Sequence, residues 1–139
     1  LGFNMITNYS RADYCCIDLA EARMASGAQH SSPVECGHRL LNSLSADSFM
    51  ITTGQAGSIY QLESGENFEV PALSPQVIDR VGAGDAFFAI TSPWVFLNNP
   101  SDLTGFIGNS VGAMQVAIVG NRDPVDAAAL YKFITSVLK

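Results

Sequence analysis

Short apolar runs alternate with segments of helical spacing in the first half of the chain. Residues 12–18 (ADYCCID) and 48–54 (SFMITTG) are apolar runs of strand length, and they predict two buried β-strands. After the first run, residues 18–27 (DLAEARMASG) predict a short helix that Gly27 terminates. A second helix is predicted over residues 31–44. It opens with a capping box and a proline in the first turn, formed by Ser32, Pro33 and Glu35.

The C-terminal third of the chain is predicted to be helical. Residues 102–120 form a glycine-rich helix, in which the missing side chains allow close packing at a cost in helicity. In residues 123–139, Asp123 is the expected cap and Pro124 lies in the first turn. The buried stripe of that helix is predicted to consist of Leu130, Phe133, Ile134, Val137 and Leu138.

The order of these elements predicts the fold class. Buried strands that alternate with helices indicate an α/β fold of three layers, in which helices flank a largely parallel sheet. Residues 58–62 (SIYQL) and 67–73 (NFEVPAL) surround Gly65, which favours one antiparallel β-hairpin. The length of 139 residues suits a single domain, and 47% apolar with 14% charged residues argues against disorder.

Charge and cysteine usage narrow the classes of partner. The formal net charge is −6 with only seven basic residues, so a nucleic-acid surface is not expected. No apolar run reaches the roughly 18 residues of a membrane span, so no membrane partner is expected either. The three cysteines have no C-x-x-C spacing, which disfavours zinc and a disulfide framework. Free thiols and the lack of a signal-like leader predict a reducing, cytoplasmic location.

The stretch 79–88 (DRVGAGDAFF) carries the strongest chemical pattern. Gly82 and Gly84 are expected to permit backbone angles that a side chain would forbid. A helix predicted from near Asp85 through about Leu97, with Pro93 shortening or kinking it, directs its positive dipole end at the same point. Backbone N–H groups and the dipole together predict an anion site. From the residues alone, Asp85 is either a helix cap or a general base beside a bound phosphoryl group.

Four blocks of the sequence resemble the ribokinase/PfkB family of carbohydrate kinases. The motif Asp79-x-x-Gly82-Ala83-Gly84-Asp85 is similar to that family's D-[TS]-x-G-A-G-D. Residues 12–25 resemble its strand ending in N-x-x-E, and residues 50–60 resemble its T-x-G-x-x-G turn at the nucleotide. Residues 106–121 resemble the later helix beside the adenine. The resemblance covers nearly the whole chain, and the blocks follow the family's order and spacing.

The resemblance implies a function and a set of site residues. It implies ATP-dependent phosphoryl transfer to a hydroxyl of a sugar or sugar phosphate, with ATP and Mg²⁺ as cofactors. Asp85 would be the general base, and the backbone of Gly82, Ala83 and Gly84 would form the anion hole, with the N–H groups of Ala83, Gly84 and Asp85 stabilising the transferred charge. The residues implied at the nucleotide are Thr52, Gly54, Gly57, Asn109 and Asp79. Those implied near Mg²⁺ are Glu21 and Asp18.

The resemblance extends only to the C-terminal, nucleotide-binding half of such a kinase. The chain begins with Leu1, and we expect that it is part of a longer protein whose N-terminal half holds the sugar site. That half would be a partner in forming the site, and a homodimer is also left open. The heptose-phosphate kinases that are linked to a nucleotidyltransferase are one suggested neighbourhood within the family.

Two departures from the family pattern leave alternatives open. Asp18 replaces the usual Asn, and with Glu21 it also fits a plain helix cap. Arg80 replaces the usual Thr or Ser, and it either contacts a phosphate or pairs with an acid at the surface. Asn109 either faces the adenine or caps a packed helix. A second function therefore stays open, a nucleotide-binding or assembly module that has lost phosphotransfer.

Overall fold

One mixed sheet forms the middle layer of the computed structural model, which describes residues 4–73, 77–119 and 123–139. Its four strands lie in the order β1-β2-β3-β4. They are β1 (Ala12–Asp18), β2 (Ala46–Thr52), β3 (Ser58–Leu62) and β4 (Asn67–Val70). β1 and β2 pair in parallel, whereas β2–β3 and β3–β4 are antiparallel. The α/β class and the hairpin are therefore confirmed, and the sheet is more mixed than the expected largely parallel one.

The described residues also form five α-helices. These are α1 (Leu19–Ser26), α2 (Pro33–Leu44), α3 (Ala83–Phe96), α4 (Ser101–Gln115) and α5 (Ala127–Val137). Gly27 ends α1 in the left-handed region at φ 64°, as predicted. The capping box of α2 is confirmed, since the Glu35 carboxylate accepts from Ser32 N at 2.9 Å and Ser32 Oγ accepts from Glu35 N at 3.2 Å. α4 ends at Gln115, earlier than predicted, and Gly120 lies outside the described residues.

Alternate residues of β2 face two apolar clusters, one on each side of the sheet. Phe49 and Ile51 pack with α1 and α2, and Met50 packs with Tyr60 and Phe87 on the side of α3. All three β2 side chains are fully buried. β1 lies at the edge of the sheet and is less buried than predicted, because only Cys15 of its seven residues is buried. The sheet is thus covered by helices on both faces, which is the predicted three-layer arrangement.

Glycine in α4 permits the close contact between α3 and α4. A Cβ atom added at Gly108 would lie 2.6 Å from the Phe87 ring and 2.7 Å from the Thr91 methyl group. Gly105 is similarly close to the Val70 side chain, at 2.7 Å. The expectation that the glycines of this helix serve packing is confirmed for Gly105 and Gly108, whereas a Cβ at Gly112 would lie 3.9 Å from the Phe87 ring, at ordinary contact distance.

The prediction for the last helix was wrong in two respects. Its N-cap is Asp126, whose carboxylate accepts from Ala129 N at 2.9 Å, so neither Asp123 nor Pro124 has the predicted place. No residue of α5 is buried, and Leu138 beyond its end is 72% exposed. The predicted stripe is therefore half-buried at Leu130, Phe133 and Ile134 and exposed at Val137 and Leu138. Apolar periodicity predicted the helix correctly, but periodicity does not determine what covers its apolar face.

Candidate nucleotide site

A cavity of about 480 Å³ lies at the carboxyl ends of β1 and β2. Parallel strands that end at one edge of a sheet place their following loops together, which is where α/β folds bind ligands. The cavity is lined by seven of the residues that the sequence proposed, namely Asp18, Thr52, Gly54, Gly57, Ala83, Gly84 and Asn109. Apolar side chains complete its walls, including Leu19, Leu73, Val77, Phe87 and Val116. Its volume is within the usual range for small-molecule sites.

The turn after β2 is held by Thr53, a residue that the sequence interpretation did not include. Its backbone N and its Oγ1 both donate to the Gly57 carbonyl, at 2.8 and 3.0 Å. Gly54 and Gly57 have φ values of 64° and 106°, in the region that favours glycine. A Cβ at Gly57 would collide with the Val70 carbonyl oxygen, so this glycine is required by the fold itself. In the sequence, the adjacent Thr52 and Thr53 before Gly54 could have indicated a turn that a threonine side chain stabilises.

The segment before α3 is anchored to the end of α4. The Val116 carbonyl accepts from the backbone N of both Ile78 and Asp79, at 2.9 and 3.0 Å. The Asp79 carboxylate then accepts from Val81 N at 3.0 Å and closes a local turn. Asp79 therefore shapes the approach to α3, and it is not among the described residues that line the cavity.

α3 begins at Ala83, two residues before the predicted start near Asp85. Gly82 is the N-cap residue in the left-handed region at φ 79°, which confirms its conformational role. Its carbonyl accepts from Ala86 N at 2.9 Å. Ala83 N donates to the Arg80 carbonyl at 3.3 Å, so one of the three N–H groups expected in the anion hole is already engaged. The N–H groups of Gly84 and Asp85 belong to the first turn, which has no acceptors within the helix.

Gly84 differs from its predicted role. It is helical and is not among the glycines with positive φ, so no forbidden backbone angle requires glycine there. A Cβ at Gly84 would meet no atom within 4 Å, although the residue lines the cavity. The fold thus leaves open space beside the Gly84 backbone, on the wall where a ligand could approach the N–H groups.

Asp85 is the third residue of α3 and is exposed. The interpretation of Asp85 as the helix cap is wrong, because Gly82 is the cap. Asp85 is not among the described residues that line the cavity, although the preceding residue, Gly84, is.

Asp18 and Glu21 form the helix cap that their spacing predicted. Asp18 Oδ1 accepts from Glu21 N at 2.8 Å, and Glu21 Oε2 accepts from Asp18 N at 3.4 Å. Both side chains are exposed, and Asp18 also lines the cavity. No group of three or more His, Cys, Asp or Glu residues within the described chain could by itself hold a metal ion.

Asn109 links α4 to the end of the hairpin. Its amide nitrogen donates to the Val70 and Pro71 carbonyls, at 2.8 and 3.0 Å. The residue is buried and at the same time borders the cavity. It therefore holds β4 beside α4, a positioning role that the two sequence interpretations did not include.

Comparisons with known proteins agree with this architecture. A family model described as pfkB family carbohydrate kinase matches residues 5–128. Ribokinase from Arabidopsis thaliana, solved with ribose and ATP, is similar at a TM-score of 0.77 and 16% identity, over 88% of this chain and 40% of that one. Phosphofructokinase-2 from Escherichia coli, solved with substrates and products, gives a TM-score of 0.78 and 14% identity, over 94% and 42%.

A nucleoside kinase from Methanocaldococcus jannaschii, an archaeal member of the ribokinase family, has a TM-score of 0.70 and 19% identity, over 90% of this chain and 40% of that one. A search of curated proteins gives no match. The chain spans about two fifths of the length of these three solved structures. Among the described residues, no helix combines the length and apolar character that are needed to cross a membrane.

Proposed function

Because the chain belongs to the pfkB family of carbohydrate kinases, we propose that it supplies the nucleotide-binding and catalytic part of an ATP-dependent sugar or sugar-phosphate kinase. The observation that carries the proposal is the cavity that both glycine turns share at the carboxyl ends of β1 and β2. The remaining part of the enzyme would lie in a longer chain, since the relatives are more than twice as long. A kinship with heptose-phosphate kinases stays a prediction.

The nucleotide would occupy the cavity with its phosphates at the start of α3. The N–H groups of Gly84 and Asp85 point out of the first turn, and the helix dipole adds positive potential at the same place. The nucleobase would contact the apolar surface of the cavity that is formed by Val77, Val116 and Phe87. Thr52, Gly54, Gly57 and Asn109 would form the rest of this wall, while Asp79 would keep the turn in position.

Asp85 would act as the general base in this reaction. The acceptor hydroxyl oxygen forms a bond to the γ-phosphorus of ATP, and the bond from that phosphorus to the β–γ bridging oxygen breaks, so that ADP leaves. The hydroxyl proton passes to the Asp85 carboxylate. The exposed position of Asp85 next to Gly84 suits this role, because the acceptor must reach it from outside the nucleotide cavity. Gly82 and Ala83 would fix the backbone position of Gly84 and Asp85.

Asp18 and Glu21 are the residues that would hold Mg²⁺. Each carboxylate uses one oxygen in the capping box, which leaves the other for water or metal. Mg²⁺ commonly binds one or two carboxylates together with water and substrate phosphates, so this pair fits without a full protein cage. When bound, the ion would neutralise phosphate charge.

A nucleotide-binding module without phosphotransfer is the second candidate. Asp85 is not among the described residues that line the cavity, and this observation favours the second candidate. A binding module would not depend on the Asp85 carboxylate, whereas a kinase would. Substitution of this residue therefore separates the two functions.

Calorimetric titration of the 139-residue chain with ADP, with and without Mg²⁺, tests the first step. We expect weak binding that Mg²⁺ strengthens, and no binding at millimolar ADP would contradict the proposal. Phosphotransfer is tested by coupled ADP release over a panel of sugars and sugar phosphates. We expect turnover only from a chain extended to the relatives' length, because orienting the acceptor accounts for up to about 7–11 kcal/mol of the barrier in favourable cases. Robust turnover by the 139 residues alone would show that no part of the active site is missing.

A further inference from the structure

Arg80 is the cationic side chain of the cavity. Of the described residues that line it, Arg80 and Asp18 are the charged ones, and they have opposite signs. Arg80 is exposed. Over residues 4–73, 77–119 and 123–139, its guanidinium makes no hydrogen bond or ion pair with another side chain. The alternative that Arg80 pairs with a surface acid therefore has no support in the described part of the chain.

The backbone places this side chain beside the start of α3. The Arg80 carbonyl accepts from Ala83 N at 3.3 Å, so Arg80 and the first turn of α3 belong to one hydrogen-bonded turn. Asp79, the preceding residue, is fixed to the Val116 carbonyl at 3.0 Å. Arg80 thus lines the same cavity as Gly84, from a backbone that the Ala83 N–H and the neighbouring Asp79 anchor.

The positive charge of Arg80 affects which ligands the cavity can bind. The chain has a formal net charge of −6, and without Arg80 the charged part of the described cavity lining would be Asp18 alone. Such a wall would repel the phosphates of a nucleotide. A guanidinium has five donors in a planar fork that matches two phosphate oxygens, and it stays charged at every physiological pH.

We propose that Arg80 binds the terminal phosphates of the nucleotide and sets the preference of the cavity for di- and triphosphates over nucleosides. This inference rests on the proposed function, since it assumes that the cavity receives a nucleotide. Arg80 supplies the mobile charge, and the N–H groups of Gly84 and Asp85 supply the fixed donors. The residue is a specificity-determining contact, while Asp85 remains the base.

Affinity measurements on the 139-residue chain test the proposal, with adenosine, AMP and ADP as probes. Arg80→Thr should weaken ADP binding about tenfold at low salt, which is the lower end for a charged hydrogen bond because the side chain is exposed. Adenosine binding should change less than twofold. Arg80→Lys should recover part of the loss, since it keeps the charge without the fork. The difference between wild type and Arg80→Thr should shrink as salt is raised.

Arg11→Thr is the matched control because it removes the same charge. Arg11 precedes β1, about 20 Å from the carboxyl end of that strand, and it is exposed. It should leave all three affinities unchanged. Equal ADP affinity in wild type and Arg80→Thr would overturn the inference and leave the proposed function intact. An equal loss for adenosine would also overturn it, and a wild-type chain that binds no ADP would overturn both proposals.

Discussion

Gly84→Ala is the substitution whose outcome depends most directly on the geometry of the cavity. Because the residue is helical and a Cβ there meets no atom within 4 Å, the folded chain accepts the methyl group without strain. Alanine also loses less conformational entropy than glycine on folding, which is a gain of up to about 1 kcal/mol. We therefore expect the free energy of unfolding to stay the same or to rise slightly.

Nucleotide binding should respond in the opposite direction. The added methyl group occupies the open space beside the Gly84 backbone and keeps a phosphate from the N–H groups of the first turn. Loss of one hydrogen bond to a charged group is about 1.5–3 kcal/mol. At about 1.4 kcal/mol per factor of ten, the ADP dissociation constant should increase roughly 10- to 150-fold. Calorimetry with ADP and urea unfolding of the same samples measure both quantities.

Gly82→Ala is the control that separates fold from site. Gly82 has φ 79°, so alanine there is strained by about 1–2 kcal/mol, and stability should fall. The two neighbouring glycines should thus give opposite changes in stability. If Gly84→Ala destabilised the fold as much as Gly82→Ala, or if it bound ADP as tightly as wild type, the assignment of this wall to phosphate would be wrong.

Three further predictions concern the base, the contact between α3 and α4, and the partly buried thiol of Cys16. In the extended, active chain, Asp85→Asn should lower kcat by about 10²–10⁴-fold and change the nucleotide affinity less than tenfold. A kcat above a tenth of the wild-type value would exclude a role of Asp85 as general base. Gly108→Ala should destabilise the fold by about 1–3 kcal/mol because its Cβ would overlap Phe87. Gly112→Ala is the control and should not destabilise the fold, because its Cβ would lie 3.9 Å from that ring. Equal urea midpoints for the two variants would contradict this prediction. Burial raises the pKa of Cys16 to about 12, so the folded thiol keeps its proton after the unfolded one has lost it, and stability should fall from about pH 9 to 12. Cys16→Ala should show a shallower fall in pH-dependent unfolding, and an identical slope would refute the assignment.

The sequence predicted helix caps and helix ends correctly where they depend on residues close together in the chain. Gly27, the Ser32–Glu35 box and the Asp18–Glu21 pair each act within four residues, and all three have the predicted geometry. The apolar face of α5 is a different case. Whether that face is buried depends on which element lies against it, and the spacing of residues along one helix contains no such information.

In the candidate site, features that depend on nearby residues were likewise easier to predict than features that depend on distant ones. The sequence identified the two glycine turns, but it treated Gly84 as a conformational glycine when its backbone is ordinary helix. It also missed the role of Asn109 in holding the Val70 and Pro71 carbonyls, which lie almost forty positions earlier in the chain. Contacts over such separations are set by the packing of α4 against the hairpin, and no short pattern encodes them.

The Val116 carbonyl has a consequence for the order in which the chain folds. It accepts the N–H groups of Ile78 and Asp79, so the turn before α3 is completed by a residue that lies after α4. During synthesis, the turn that contains Gly82 and Gly84 leaves the ribosome well before Val116, its anchor, exists, and we expect this side of the cavity to form only when α4 has packed. Amide exchange at Ile78 and Asp79 should therefore slow together with the exchange of α4, although both residues lie in a loop.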